Sequence, residues 1–403
     1  MKYRHTAAWV CALALGSSSI GIAAPSTRPD ARFLPPDGQT LLIIGQELQS
    51  VADYVTDCQS CATPGGVTTY LGFYDLLSAK DGFGGLGEDA AGNPAADADW
   101  GAGKTSAAKM LTQHPDSALV IGLDMSNGRR SGGLAEIARG VHDDKIARLA
   151  AFFVAAKRPV YLRIGYEFDG TWNLGYDDRK TYITAFRRIV DGLRTRGANN
   201  VAFVWQASAS PLDDIIEQGR REDIRDWFPG ASYVDWVALS WFLKPHAKGR
   251  ANSLKTPGQL QLAREVIDFA RAERKPVMIA ESTPQGYDLG KLTHANISPL
   301  WDGPAGGNVV QLSAEQIWHE WYEPVLSFID ANRDVIAAFA YINANWDVQP
   351  MWAKPYSSGY WGDTRIQANP SIEKAWVTET RKPAWLHGGP RLYEILTSSR
   401  DPR

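Results

Sequence analysis

Two glutamates stand where a chain would place chemistry. Glu167 closes the run Val160-Tyr-Leu-Arg-Ile-Gly-Tyr-Glu167, and Glu281 closes Lys275-Pro-Val-Met-Ile-Ala-Glu281. Each run reads as a buried strand, and turn residues follow both. Packing explains such residues poorly, because a carboxylate is rarely carried into an apolar setting without a partner. Two carboxyl groups meet the needs of glycosidic bond cleavage, where one protonates the departing oxygen and the other attacks the sugar or activates water.

The elements that would hold these residues follow from the pattern of the whole chain. Eight strand-like runs occur at Leu41 to Gly45, Thr68 to Tyr74, Ala118 to Leu123, Val160 to Phe168, Val201 to Ala207, Val234 to Phe242, Val277 to Glu281 and Ile336 to Ile342. Most are continuously apolar, as parallel strands buried on both faces are. Helical faces fall between them: Ile146, Leu149 and Phe153; Tyr182, Phe186, Ile189 and Leu193; Leu262, Val266 and Phe269; Ile317, Trp321, Val325 and Phe328. The alternation predicts an α/β fold, a (β/α)8 TIM barrel in a single catalytic domain over residues 33–398. Barrel enzymes work at the C-terminal ends of their strands, which puts Glu167 on strand four and Glu281 on strand seven at one mouth. The long gap from Asp75 to Ser117 reads as a loop with a short helix near Thr105 to Leu111.

Residues 1–24 carry Lys2 and Arg4, an apolar stretch from Ala7 to Leu15 and small residues ending in Ala24, which reads as a signal peptide. A secreted or periplasmic chain without a membrane span is expected. The net charge of −3 becomes −5 once Lys2 and Arg4 are removed, and no Lys/Arg stripe appears, which argues against nucleic acid. With Cys11 gone, Cys58 and Cys61 remain and are expected to form a small disulfide, a redox pair being the alternative. No His-x-His or His-Glu-x-x-His spacing exists and no His ends a strand, so neither metal nor cofactor is expected.

Further candidates carry two readings each. Arg163 lies four residues before Glu167 on the same strand face, where it either joins the site near Glu281 or makes a core salt bridge. Gln46, Gln206 and Asn345 end strands, and either meet sugar hydroxyls or cap the strand. Among fifteen Trp, Trp172, Trp205, Trp241, Trp346 and Trp361 are candidates for stacking on sugar rings. Trp205 serves equally well as barrel core. Asp169 before Gly170 reads as a turn cap, Glu320 and Glu323 as solvated helix residues, and Asp347 as a rival carboxylate.

At these residues the chain resembles glycoside hydrolase family 26, and within it the bacterial endo-β-1,3-xylanases. The resemblance runs through Ile44-Gly-Gln46, Pro64-Gly-Gly-Val-Thr-Thr-Tyr70, the Glu167 run, Asp169-Gly-Thr-Trp-Asn173 and Phe203-Val-Trp-Gln206. It continues through Tyr233-Val-Asp-Trp-Val-Ala-Leu-Ser240, Glu281-Ser-Thr-Pro-Gln285, Tyr341-Ile-Asn-Ala-Asn-Trp-Asp347 and Gly359-Tyr-Trp-Gly-Asp-Thr-Arg-Ile-Gln367. It implies a retaining endo-glycanase acting on a cell-wall polysaccharide, β-1,3-xylan first, with β-1,4-mannan or β-glucan as alternatives; a monomer is expected. Glu167 matches the general acid/base and Glu281 the nucleophile. The substrate-side set would be Gln46, Arg163, Trp172, Asn173, Trp205, Gln206, Trp241, Asn345, Trp346 and Trp361. Strand six ends Ser240-Trp241-Phe242, without the Tyr that related barrel glycosidases place beside the nucleophile. A noncatalytic sugar-binding barrel would be expected to have lost one of the two glutamates.

Overall fold

The computed structural model describes residues 31–76, 86, 97–126, 132–170, 172–211, 223–246, 257–295, 297 and 309–398. The expected signal peptide, the Asp81 to Gly87 stretch other than Leu86, and most of the charged segment before Trp227 lie outside these residues. Eight parallel strands form the centre: β1 Thr40–Ile44, β2 Gly66–Gly72, β3 Ala118–Asp124, β4 Val160–Ile164, β5 Val201–Ala207, β6 Trp236–Trp241, β7 Val277–Ser282 and β8 Ile336–Tyr341. Each pairs with the next, and β8 returns to β1 with Leu41 opposite Ala338, so the sheet closes. This is the (β/α)8 barrel.

The outer layer comprises α1 Leu48–Asp57, α2 Ala107–Gln113, α3 Gly133–Arg139, α4 Asp143–Ala156, α5 Arg179–Thr195 and α6 Gln259–Ala272. It continues with α7, which runs through Ala314–Ile317, Trp318–Tyr322 and Glu323–Ala331, then α8 Pro370–Thr380 and α9 Leu392–Ser398. The apolar faces legible in the sequence are the buried faces, including Tyr182, Phe186, Ile189 and Leu193 on α5. Helix α5 begins where the Asp178 carboxylate accepts from Thr181 N at 2.9 Å, satisfying one of the donors a helix start leaves free. Helix α2 starts at Ala107 rather than Thr105, because the Ser106 side chain caps it and Lys104–Thr105 is a strand paired with Ala98–Asp99.

Strand alternation sorts the side chains into two cores. Outward residues such as Leu162, Phe203, Leu239 and Ile279 pack beneath the helices. Inward residues such as Ile43, Val120, Tyr161, Val204, Trp236 and Met278 fill the barrel. The N-terminal end of the barrel is closed by the segment around Arg32 and Phe33, whose carbonyls accept from Trp236 Nε1 at 2.8 Å and Tyr161 Oη at 2.5 Å. Inward side chains are therefore reachable from the C-terminal end. Cys58 and Cys61 are joined by a disulfide just after α1.

Candidate active site at the C-terminal mouth

Strand β4 stops at Ile164, earlier than its apolar run, because Gly165 and Glu167 take positive φ values of 55° and 50°. A left-handed glutamate is strained and persists only where its surroundings impose it. Here Asn173 Nδ2 donates to the carbonyls of Glu167, at 2.8 Å, and Tyr166, at 3.2 Å, while Gly170 N donates to Glu167 O at 2.8 Å. The effect is to turn the Glu167 side chain over the barrel mouth.

Glu281 reaches the same place by another device. Along β7, Met278 and Ala280 face inward, so strict alternation would send residue 281 outward. A bulge intervenes: Leu239 pairs with Ile279, but Ser240 pairs with Glu281. The extra residue re-aims the carboxylate into the barrel, a recurrent use of bulges beside active sites.

Inward residues of β4, β5 and β6 join the two glutamates. Ser240 Oγ donates to Glu167 Oε1 at 2.5 Å and accepts from Gln206 Nε2 at 3.0 Å. The same amide donates to Glu281 Oε1 at 3.3 Å. Arg163 Nη1 donates to Gln206 Oε1 at 2.8 Å and also to Glu281 Oε1 in an ion pair. Trp172 Nε1 donates to the other oxygen of Glu167 at 2.9 Å. The Arg163 guanidinium sits 5.0 Å from the ring centre of Tyr70 and 5.3 Å from that of Tyr166. Space for this stack comes from Gly122, where a Cβ would stand 2.5 Å from Tyr70 and 2.9 Å from Arg163.

The electrostatics divide the two carboxyls. Burial pushes Glu167 well above the usual carboxylate range, and the charge of Glu281 adds to the effect. The bonds from Ser240 and Trp172 oppose the shift without cancelling it. Glu281 has a fully buried guanidinium against it. One carboxyl that holds its proton beside one that is ion-paired is the arrangement that separates acid from nucleophile.

The sequence candidates fall into distinct places. Arg163 and Gln206 are both inside the site, bonded to Glu281 rather than free for a ligand. Trp205 and Trp241, offered as stacking platforms, are 0 % exposed. Their rings point outward: Trp205 lies on Phe168 at 4.8 Å and against Phe269, while Trp241 packs on Phe328 of α7. Neither presents a face to the mouth, so both are structural. Trp346 and Trp361 are also buried, packed on one another at 4.5 Å and joined by Trp352 and Phe242 in an aromatic nest beyond β6 and β8. Trp172, 48 % exposed, keeps an open face beside Glu167. Asn173 fixes the Glu167 turn, and Asn345 Oδ1 caps the turn at Asp347 N, so both serve the backbone. Gln46 is buried at the end of β1 with its Nε2 unpartnered.

Other carboxylates are engaged elsewhere. Asp169 accepts from Ser208 N at 2.6 Å, tying its loop to the end of β5. Asp347 stands 3.7 Å from Lys291. Glu320 is not simply solvated: it pairs with Lys244 and accepts from Tyr287 Oη at 2.6 Å. A cavity of about 1010 Å³ lined by Leu260, Ile267, Glu320 and Phe328 lies between α6 and α7 on the outer wall and includes neither Glu167 nor Glu281. Ser240 was not among the sequence candidates. Its only signal was its position at the end of strand six, beside a carboxylate on strand seven.

Among the described residues, no group of His, Cys, Asp and Glu could hold a metal ion, and no helix is long and apolar enough to cross a membrane. Residues 131–256 match the family model for glycosyl hydrolase family 26. The chain is 35 % identical over 368 residues to beta-1,3-xylanase TXYA of Vibrio sp, covering 90 % of this chain and 69 % of that protein. It is 33 % identical over 372 residues to a beta-1,3-xylanase of Alcaligenes sp, covering 91 % and 68 %. In structure it is similar to a GH26 beta-mannanase from Bacteroides ovatus, with a TM-score of 0.51 and 16 % identity over 88 % of this chain and 93 % of that one. The structural likeness bears on the fold.

Proposed function

The chain belongs to glycosyl hydrolase family 26, and from that premise we propose that it is an exported, retaining endo-β-1,3-xylanase with Glu167 as general acid/base and Glu281 as nucleophile. One observation carries the roles: two buried glutamates share the mouth, linked through Ser240 and Gln206, and only Glu281 is paired with a guanidinium. Glycosyl transfer starts with Glu167 protonated. As the bond from the anomeric carbon to the leaving oxygen breaks, Glu167 gives that oxygen its proton, and an oxygen of Glu281 bonds to the anomeric carbon. Forming the ester removes the charge on Glu281. That charge had helped hold the proton on Glu167, so the acid becomes a better carboxylate just when a base is needed. Glu167 then takes a proton from water, whose oxygen bonds to the anomeric carbon and releases Glu281.

The substrate rests on the two β-1,3-xylanases that the chain resembles over nine-tenths of its length. The Lys2, Arg4 and Ala7 to Leu15 pattern supports export. Product analysis on β-1,3-xylan, β-1,4-xylan, β-1,4-mannan and β-glucans tests the reading. Short oligosaccharides from β-1,3-xylan are expected, and release from mannan alone would overturn the substrate while leaving the two roles standing.

A further inference from the structure

One exposed tryptophan stands at the mouth with no packing role to explain it. Trp100 is 41 % exposed at the tip of the hairpin formed by Ala98–Asp99 and Lys104–Thr105. Its Cζ2 lies 3.5 Å from the point where a Cβ on Gly72 would stand, and Asp75 Oδ2 lies 2.2 Å from the same point. Gly72 is the last residue of β2, two beyond Tyr70, whose ring is under the Arg163 guanidinium. Residues two apart share a strand face. Gly72 therefore faces the mouth one rung above the site, and the glycine leaves room there for a ring and a carboxylate.

The hairpin is held in place before any ligand arrives. Asp99 Oδ1 accepts from Gly101 N at 2.8 Å, and Gly101 O accepts from Met351 N at 2.9 Å in the loop after β8. Gly103 packs against Glu47 at the start of α1, where a Cβ would stand 2.6 Å from Glu47 Cγ. Lys109 Nζ on α2 donates to Asp97 at 2.7 Å. A fixed, open indole beside an exposed carboxylate matches a sugar ring, whose C–H face stacks on the indole while its hydroxyls donate to the carboxylate. Little ordering cost is left for binding.

We propose that Trp100 and Asp75 form an outer sugar-binding subsite on the β2 side of the mouth, with Trp100 as the stacking platform and Asp75 accepting from a sugar hydroxyl. The proposal rests on the reading of the chain as a β-glycan hydrolase. It is tested with the full chain by measuring KM and kcat for Trp100→Ala, Trp100→Phe and Asp75→Asn on β-1,3-xylooligosaccharides of increasing length. The KM ratio of Trp100→Ala to wild type should grow with length to about tenfold, with kcat changing less than KM, because the lost contact is uniform binding. Trp100→Phe should restore most of it, and the thermal midpoint should not move. A ratio independent of length, an unmoved KM, a loss confined to kcat, or failure of Phe to rescue overturns the subsite. If wild type cleaves another β-glycan instead, the substrate reading fails and the same length series in that glycan decides the subsite. If it cleaves none, both fail.

Discussion

Ser240→Ala should move the alkaline limb of the pH profile upward. The Ser240 hydroxyl donates to Glu167 Oε1 at 2.5 Å, and such a bond favours the ionised carboxyl. A hydrogen bond to a charged acceptor is worth roughly 1.5–3 kcal/mol and one to a neutral acceptor roughly 0.5–1.5 kcal/mol, so its loss disfavours the carboxylate by about 1 to 1.5 kcal/mol. At about 1.4 kcal/mol per pH unit this is a rise of about one unit in the pKa of Glu167. In the proposed mechanism Glu167 starts protonated, so the limb should shift to higher pH by that amount. The maximal rate should fall by about tenfold or less, since Gln206 Nε2 loses one of its two acceptors and no longer fixes the spacing. The assay is kcat/KM against pH, which reports free-enzyme groups. A limb that stays put or moves to lower pH would refute the role given to this hydroxyl.

Three further outcomes follow from the same packing. Glu281→Ala should abolish activity by roughly ten-thousand-fold or more. It should also lower unfolding stability by about 3–5 kcal/mol, because Arg163 is fully buried and loses its counter-charge; a variant as stable as wild type in denaturant titration would contradict the pairing. Trp205→Ala should cost about 3–5 kcal/mol of stability with little change in KM, and a large KM rise at preserved stability would return that ring to the substrate. Glu47 is buried as the cap of α1, and burial lifts its pKa from 4.5 to about 7. Its folded-state proton is held more tightly than in the unfolded chain, so the stabilisation is full below about pH 4.5 and is lost as pH rises through about 7. The span corresponds to about 3 kcal/mol. Melting curves of Glu47→Gln from pH 5 to 8 should therefore be flatter than those of wild type, and parallel curves would refute the assignment.

The barrel was legible because parallel strands buried on both faces leave long apolar runs, and all eight were recognisable. Their ends were less so. The run through Phe168 hid the turn at Gly165, since nothing in the residue types announces a left-handed glutamate at 167. Alternation separates Gln206, inward, from Trp205, outward, and Ser240 from Trp241 in the same way. It places both tryptophans under the helices, away from the mouth. It could not have placed Glu281, whose direction depends on a bulge that no residue type signals. Ser240 was obscure for a different reason, being a small inward residue that matters only through its bonds to Glu167 and Gln206, which come from other strands. Trp100 lay in a gap with no strand or helix period, where only the clamps to Glu47 and Met351 reveal its position.

The double displacement through Glu281 is tested most directly by trapping its intermediate. Incubation with a 2-deoxy-2-fluoro-β-xyloside bearing a reactive leaving group slows both steps, and peptide mapping by mass spectrometry locates the sugar. The predicted result is one fluoroxylosyl group on the peptide at Glu281. An adduct on Glu167 or on any other residue would contradict it.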